Sequence, residues 1–349
     1  MNINVLNRLF LIGALCGYSV FSQAKEIAVI GHAGAPSFAI ANTLPSYQRA
    51  INDGADFIET DIVPTKDGAL ISIHENELSL TTNVSSFSQF ANRRTSKLVG
   101  AKYYTGWFSE DFTLSEIKML KVHERGPNTR PENTAYDGLY NVATLDEVIN
   151  IAEQNYNRTG KITGIYIEMK TPAYFTAVGL PVESKVLNTL ARYKYTRDIA
   201  PIYIEAFDPI SLKLVRTKLN TTHSSLKRVK LLQLLNDLGP LYDAVNLASL
   251  PAYAVYADVV GPNKNAIFRD NSTKASNFVS IAHGVGLEVQ PWSFAPENNN
   301  LPTAFRCSSV LSERCPSGLK KQLKMFFDAG IDGVFVDDPA TAKEALAEY

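Results

Sequence analysis

Short runs rich in β-branched residues alternate with amphipathic segments of helical length along most of the chain, a pattern that folds as parallel strands covered by helices. The strand candidates are 27–31, 57–62, 70–74, 165–169, 201–207, 229–234, 256–261, 287–291 and 333–336; helices are expected over 43–53, 144–153, 182–193, 209–218, 274–283 and 317–329. Nine strands are one too many for an eight-stranded barrel. The surplus is expected in the pair flanking Pro64-Thr65-Lys66-Asp67-Gly68, a turn signal with no room for a helix. Residues 75–143 break the alternation with polar and aromatic sequence, including Lys102-Tyr103-Tyr104-Thr105-Gly106-Trp107-Phe108. They read as an excursion over one barrel end, the C-terminal face where catalytic groups collect. The expected fold is therefore α/β, a TIM-type (β/α)8 barrel with an insertion after the third strand segment.

The first residues set Arg8 before the apolar run Leu9-Phe10-Leu11-Ile12-Gly13-Ala14-Leu15 and end in Ser22-Gln23-Ala24, a small-x-small cleavage pattern. Residues 1–24 thus read as a signal peptide cleaved near Ala24, giving a periplasmic or secreted chain whose single domain spans 25–349. Gly17, Tyr18 and Ser22 interrupt the apolar run too early for a stable membrane anchor. The 34 basic and 35 acidic residues give a net charge of −1, and loss of Arg8 with the leader makes it −2, which argues against a nucleic-acid partner. Beyond the leader only Cys307 and Cys315 remain, and in an oxidising compartment they are expected to pair; a zinc pair is the alternative, with no His nearby to complete it.

Four strings carry His or acidic side chains to strand ends: Gly31-His32-Ala33-Gly34, Ile58-Glu59-Thr60-Asp61, Ile71-Ser72-Ile73-His74 and Tyr166-Ile167-Glu168-Met169-Lys170. Residues two apart in a strand share a face, so Glu59 aims with Asp61, and Glu168 with Lys170. Singly, each has an ordinary reading: a solvated Glu-x-Asp edge, a hydrogen-bonded core His, a surface Lys. Together they describe converging carboxylates, which repel one another unless a hard divalent cation lies among them, and oxygen-only ligation favours Ca2+ or Mg2+ over zinc.

The first three of these strings, with Asn42-Thr43-Leu44, Gly54-Ala55-Asp56-Phe57, Thr65-Lys66-Asp67-Gly68 and Thr81-Thr82, resemble the opening block of glycerophosphodiester phosphodiesterases, in order over more than fifty residues, and Ile165-Tyr166-Ile167-Glu168-Met169-Lys170 resembles one of the family's later strands. Ala206-Phe207-Asp208, Val289-Gln290-Pro291-Trp292 and Gly330-Ile331-Asp332-Gly333-Val334-Phe335-Val336-Asp337-Asp338-Pro339 resemble the family's later strands. With the signal peptide, the likeness is to the periplasmic, calcium-using branch. It implies a TIM barrel, a divalent cation on Glu59, Asp61 and Glu168 (Ca2+, with Mg2+ as the alternative), and His32 and His74 as an acid/base pair. Lys170 is then a phosphate-binding residue, and Phe207 and Trp292 are candidates for the substrate pocket.

The chain departs from the family pattern at Ala33 and Ala41, where the family carries Arg and Glu. A lost charged hydrogen bond to phosphate is worth roughly 1.5–3 kcal/mol. Arg125 and Arg130 in the excursion are the candidates to supply that charge. They lie in His123-Glu124-Arg125-Gly126-Pro127…Pro131-Glu132-Asn133-Thr134, which mimics the family motif but follows a stretch too charged for a buried strand, so that its likeness reads as coincidence. The expected reaction is hydrolysis of a small-molecule glycerophosphodiester to glycerol 3-phosphate and an alcohol. The alternatives are a phospholipase-D-like activity on lysophospholipids or sphingomyelin, and a weakened phosphodiester-binding paralogue.

Overall fold

The structure is a computed structural model that describes residues 27–269 and 272–349, so the signal-peptide reading of 1–24 lies outside the described residues. In chain order the strands are β1 (Ala28–Gly31), β2 (Phe57–Pro64), β3 (Leu70–Ser72), β4 (Thr95–Val99), β5 (Lys102–Gly106), β6 (Ala143–Thr144), β7 (Gly164–Met169), β8 (Ile202–Ala206), β9 (Lys230–Leu235), β10 (Val259–Pro262), β11 (Glu288–Val289) and β12 (Gly333–Val336). Eight of them run parallel in the order β11-β10-β9-β8-β7-β2-β1-β12. The ring closes between its ends: Asp332 N donates to Val289 O (2.8 Å), Phe294 N to Phe335 O (2.9 Å) and Asp337 N to Phe294 O (2.8 Å). The surplus strand is β3, which folds back antiparallel on β2 through the Pro64–Gly68 turn and takes β6 on its other edge. It ends at Ser72, so His74 stands on the segment leaving it rather than on a stave of the barrel.

Period-two alternation divides each stave. Ile165, Ile167 and Met169 of β7, with Ile202, Ile204 and Ala206 of β8, face the outer helices and join the main core. Tyr166, Tyr203, Ile30, Leu232, Val259 and Phe335 point inward and fill the barrel, where Tyr166 stacks on Tyr203 at 4.3 Å. One layer above, toward the C-terminal ends, the inward positions turn acidic. Register sets Asp61 beside Glu168, and Glu168 beside Glu205. Burying such groups is costly unless they are paired or bind metal, so this layer is where function is to be sought.

The helices expected near 43–53, 144–153, 182–193, 209–218, 274–283 and 317–329 form, and among the described residues Leu114–Ile117, Pro172–Ala177, Pro240–Tyr253 and Pro339–Ala347 are helical as well. Between β3 and β6 the chain makes short 3₁₀ turns and the β4–β5 hairpin, and its aromatic residues Phe90, Trp107 and Phe112 join the main core. Trp107 donates its indole N–H to Phe90 O (2.7 Å), and Phe90 meets Phe112 edge-on.

Cys307 and Cys315 are bonded, closing a loop eight positions long beside Glu297. Replacing both by Ser is expected to lower stability by about 2–3 kcal/mol through loop entropy, seen as a lower urea midpoint. An unmoved midpoint would show that the bridge adds nothing to the fold.

Candidate active site

Two left-handed residues in succession, Ala33 (φ 49°) and Gly34 (φ 92°), turn the chain sharply after β1. A Cβ on Gly34 would lie 2.4 Å from Ser46 Oγ, so the turn needs glycine there. Ser46 Oγ secures it by donating to Ala33 O (3.0 Å) and accepting from Ala35 N (2.9 Å). The turn aims His32 over the acidic layer and lets Ala33 N donate to Glu59 Oε2 (2.6 Å).

Glu59, Asp61 and Glu168 each offer one oxygen to a group whose atoms lie within 4.8 Å of one another, and all three residues are buried. Glu59 Oε1 is buried with no hydrogen-bond partner. Asn42 Nδ2 donates to Asp61 Oδ2 (2.7 Å), while the buried Tyr47 hydroxyl donates to Asn42 Oδ1 (2.8 Å) and fixes that amide's orientation. Lys170 is the cation among them, with Nζ 2.7 Å from Glu168 Oε1 and 3.3 Å from Asp61 Oδ1. One ammonium does not neutralise three carboxylates. Burial and the charge of Asp61 push Glu59 well above the usual carboxylate range, and burial raises Glu168 as well. Burial also opposes ionisation of Asp61, but Lys170 and the Asn42 hydrogen bond work against it and hold that carboxyl low. An all-oxygen donor set with an orphaned buried oxygen and surplus negative charge fits a hard divalent cation.

Both His carry a carboxylate on Nδ1. His32 Nδ1 lies 2.8 Å from Asp337 Oδ1, and His74 Nδ1 lies 2.7 Å from Glu75 Oε1. His74 Nε2 is 3.3 Å from Lys170 Nζ. An ammonium can only donate, so Nε2 is the bare nitrogen of His74 and Nδ1 bears the proton. Burial pulls His32 down, yet the hydrogen bond and charge of Asp337, with Glu59 and Asp61 behind it, raise it to about 9.

A cavity of about 390 Å³ opens above His32, Asn42, Asp61 and His74. The string at 123–134 forms no strand, but His123, Arg125 and Arg130 line this cavity together with His32. Arg130 is 16% exposed and committed, its Nε donating to Glu297 Oε1 (2.9 Å) and its Nη2 to Asp337. Arg125 is 51% exposed and reaches Glu75. Phe207 lines a second cavity beyond Lys170, while Trp292 stands edge-on to Phe207 at 5.7 Å and lines neither cavity.

Asp337 and Glu75, which orient the two His, were not expected from sequence, nor was Glu205. Glu205 is buried beside Glu168 with Oε2 unpartnered, and burial together with the charge of Glu168 raises its pKa well above normal. The one available signal for it was an acidic residue at an inward position of a stave.

Three carboxylates that could hold a divalent cation, a lysine and two oriented His at the C-terminal mouth of a barrel have the composition of a hydrolase site. The model of the glycerophosphoryl diester phosphodiesterase family matches residues 32–341, and the chain belongs to that family: it is a phosphodiesterase. A glycerophosphodiester phosphodiesterase of Arabidopsis thaliana is 32% identical over 88% of this chain and 82% of its own length; one of Haemophilus influenzae is 26% identical over 96% and 95%. The fold is shared with a phosphodiesterase of Oleispira antarctica solved in complex with the product sn-glycerol-3-phosphate (TM-score 0.60, 16% identity, 92% of this chain and 96% of that one). It is shared also with a glycerophosphodiester phosphodiesterase of Agrobacterium tumefaciens (TM-score 0.54, 17% identity, 91% and 99%).

Proposed function

We propose that the enzyme hydrolyses glycerophosphodiesters to glycerol 3-phosphate and an alcohol, with Glu59, Asp61 and Glu168 as the ligands of a divalent cation. The observation that carries the reading is the pair of carboxylate-oriented His facing one cavity over a three-carboxylate centre. The product named for the Oleispira antarctica neighbour supports glycerol 3-phosphate as the retained half. The number of protein carboxylates favours Ca2+ over Mg2+, which usually keeps more of its waters. Bound there, the cation supplies charge that offsets the negative charge growing on the phosphoryl oxygens.

His74, bare at Nε2, takes the proton from the nucleophile, either water or the neighbouring glycerol hydroxyl, the latter giving a transient cyclic phosphate. His32, protonated at neutral pH, gives its proton to the departing alcohol oxygen. Lys170 holds a phosphoryl oxygen. Arg125, exposed at the mouth, offers the charge that Ala33 lacks, whereas Arg130 works by holding Asp337. The Cys307–Cys315 bond supports an oxidising compartment, periplasmic or extracellular, for a single domain over 25–349 with 75–143 inserted in it.

Glycerophosphocholine offered to chelated enzyme is expected to release glycerol 3-phosphate only after Ca2+ is returned. Binding without release under any cation would favour a phosphodiester-binding role instead.

A further inference from the structure

Asp337, which orients His32, is itself held by a buried guanidinium that a second carboxylate holds in turn. Arg130 Nε donates to Glu297 Oε1 (2.9 Å) and Nη2 reaches Glu297 Oε2 (3.4 Å), while Nη2 also donates to Asp337 Oδ2. Asp337 keeps its other oxygen, Oδ1, for His32 Nδ1 (2.8 Å). Glu297, Arg130, Asp337 and protonated His32 thus form a row of alternating sign in which two negative charges offset two positive ones. The row draws on four parts of the chain: the segment after β11, the excursion, the end of β12 and the end of β1.

Glu297 is 1% exposed, and burying a carboxylate is costly unless it is paired. Besides Arg130 it accepts from Ser37 Oγ (3.1 Å), just beyond the turn that follows β1. The loop closed by Cys307 and Cys315 braces its backbone, with Cys315 N donating to Pro296 O (2.7 Å) and Asn298 N to Glu313 O (2.8 Å). Arg130 and Asp337 line the cavity over His32, whereas Glu297 does not. Its influence on that cavity therefore runs through Arg130. Pinning Nε as well as Nη2 fixes the plane of the guanidinium, and that plane sets how Asp337 presents Oδ1 to His32. The charge of Glu297 matters too: without it, Arg130 and protonated His32 would share a single carboxylate.

We propose that Glu297 is a positioning residue for the reaction, holding Asp337 through Arg130 so that His32 stays aimed at the departing alcohol. The inference rests on the phosphodiesterase reading above and extends its acid by one carboxylate outside the cavity.

Glycerophosphocholine turnover by the Ca2+-supplied enzyme tests it in a double-mutant cycle of Glu297→Gln and Asp337→Asn. Glu297→Gln is expected to lower kcat by about ten- to a hundredfold, part of the roughly 10²- to 10⁴-fold that a general acid supplies, with KM kept within about twofold. In the Asp337→Asn background the same change is expected to cost less than about threefold, because the group that Glu297 positions is already lost. A residue serving only the fold would give its full loss in both backgrounds. Such additivity, an unchanged kcat, or a loss confined to KM would overturn the proposal. Should Glu297→Gln not melt cooperatively above the assay temperature, Glu297→Asp, which keeps the charge but withdraws it by one methylene, replaces it in the cycle under the same criteria. Failure of the unmodified enzyme to turn over glycerophosphocholine or any other glycerophosphodiester would instead bring down the functional reading, and the positioning role with it.

Discussion

Glu59→Gln is expected to lower kcat/KM for glycerophosphocholine by about a thousandfold or more, roughly 4 kcal/mol at 1.4 kcal/mol per decade. Volume and shape are kept, and the amide oxygen can still accept from Ala33 N as Glu59 Oε2 does. What is lost is the charge on Oε1, the oxygen that has no partner within the protein. Ca2+ titration calorimetry should show the affinity falling with the activity, which separates ligation from a purely chemical role. A second readout is thermal. Metal-free, Glu59 has a folded pKa above its unfolded value, so its contribution to stability is present below the unfolded pKa and lost as pH rises through the raised one. In chelator at neutral or higher pH, Glu59→Gln should therefore melt no lower than the unmodified chain. With Ca2+ present the order should reverse, since only the unmodified site gains binding free energy. Full chelator-sensitive turnover in the variant would remove Glu59 from the ligand set.

How much of this centre could be read from the sequence follows from how local each signal is. Glu59 and Asp61 sit two apart on one strand, as do Glu168 and Lys170, and strand periodicity alone sets each pair on one face. That the two strands adjoin, with Asp61 in register with Glu168, is a property of the closed ring. The orienting carboxylates illustrate the limit. Asp337 is 305 positions from His32 and meets it only because β12 closes against β1. Glu75 is next to His74, yet nothing in a dipeptide tells whether the side chains turn toward one another.

In sequence the segment 123–134 reads as a chance likeness, because its flank is too charged for a buried strand. That flank indeed forms no barrel stave, and isolated bridges hold it instead. Its place over the cavity comes from tertiary contacts such as Asn133 Nδ2 donating to Pro36 O (2.8 Å), which no periodicity encodes. The helix Pro240–Tyr253 escaped notice for a different reason: Pro251 lies inside it and breaks the expected pattern.

Asp337→Asn is expected to lower kcat/KM by about 10²- to 10⁴-fold at neutral pH, in the range general acid catalysis and its orienting carboxylate supply elsewhere. Asp337 does two things: it accepts the Nδ1 proton of His32 and it anchors Arg130. The pH profile distinguishes its effect on His32 from a loss of structure. With Asp337 ionised, His32 is raised to about 9 and holds its proton through neutrality. A cation on Glu59 and Asp61 takes back the part those carboxylates contribute, leaving the larger part owed to Asp337. Removing that charge lowers the His32 pKa, so the alkaline limb of kcat/KM should move toward lower pH. Stability follows the same sign. A His raised on folding contributes stability that is fully present below its usual 6.5 and lost as pH rises through about 9. In chelator, the Tm of the unmodified chain should therefore fall across that window relative to the variant. A variant slowed equally at every pH, with its alkaline limb unmoved, would show that Asp337 serves the fold and leave His32 without its assigned role as the acid.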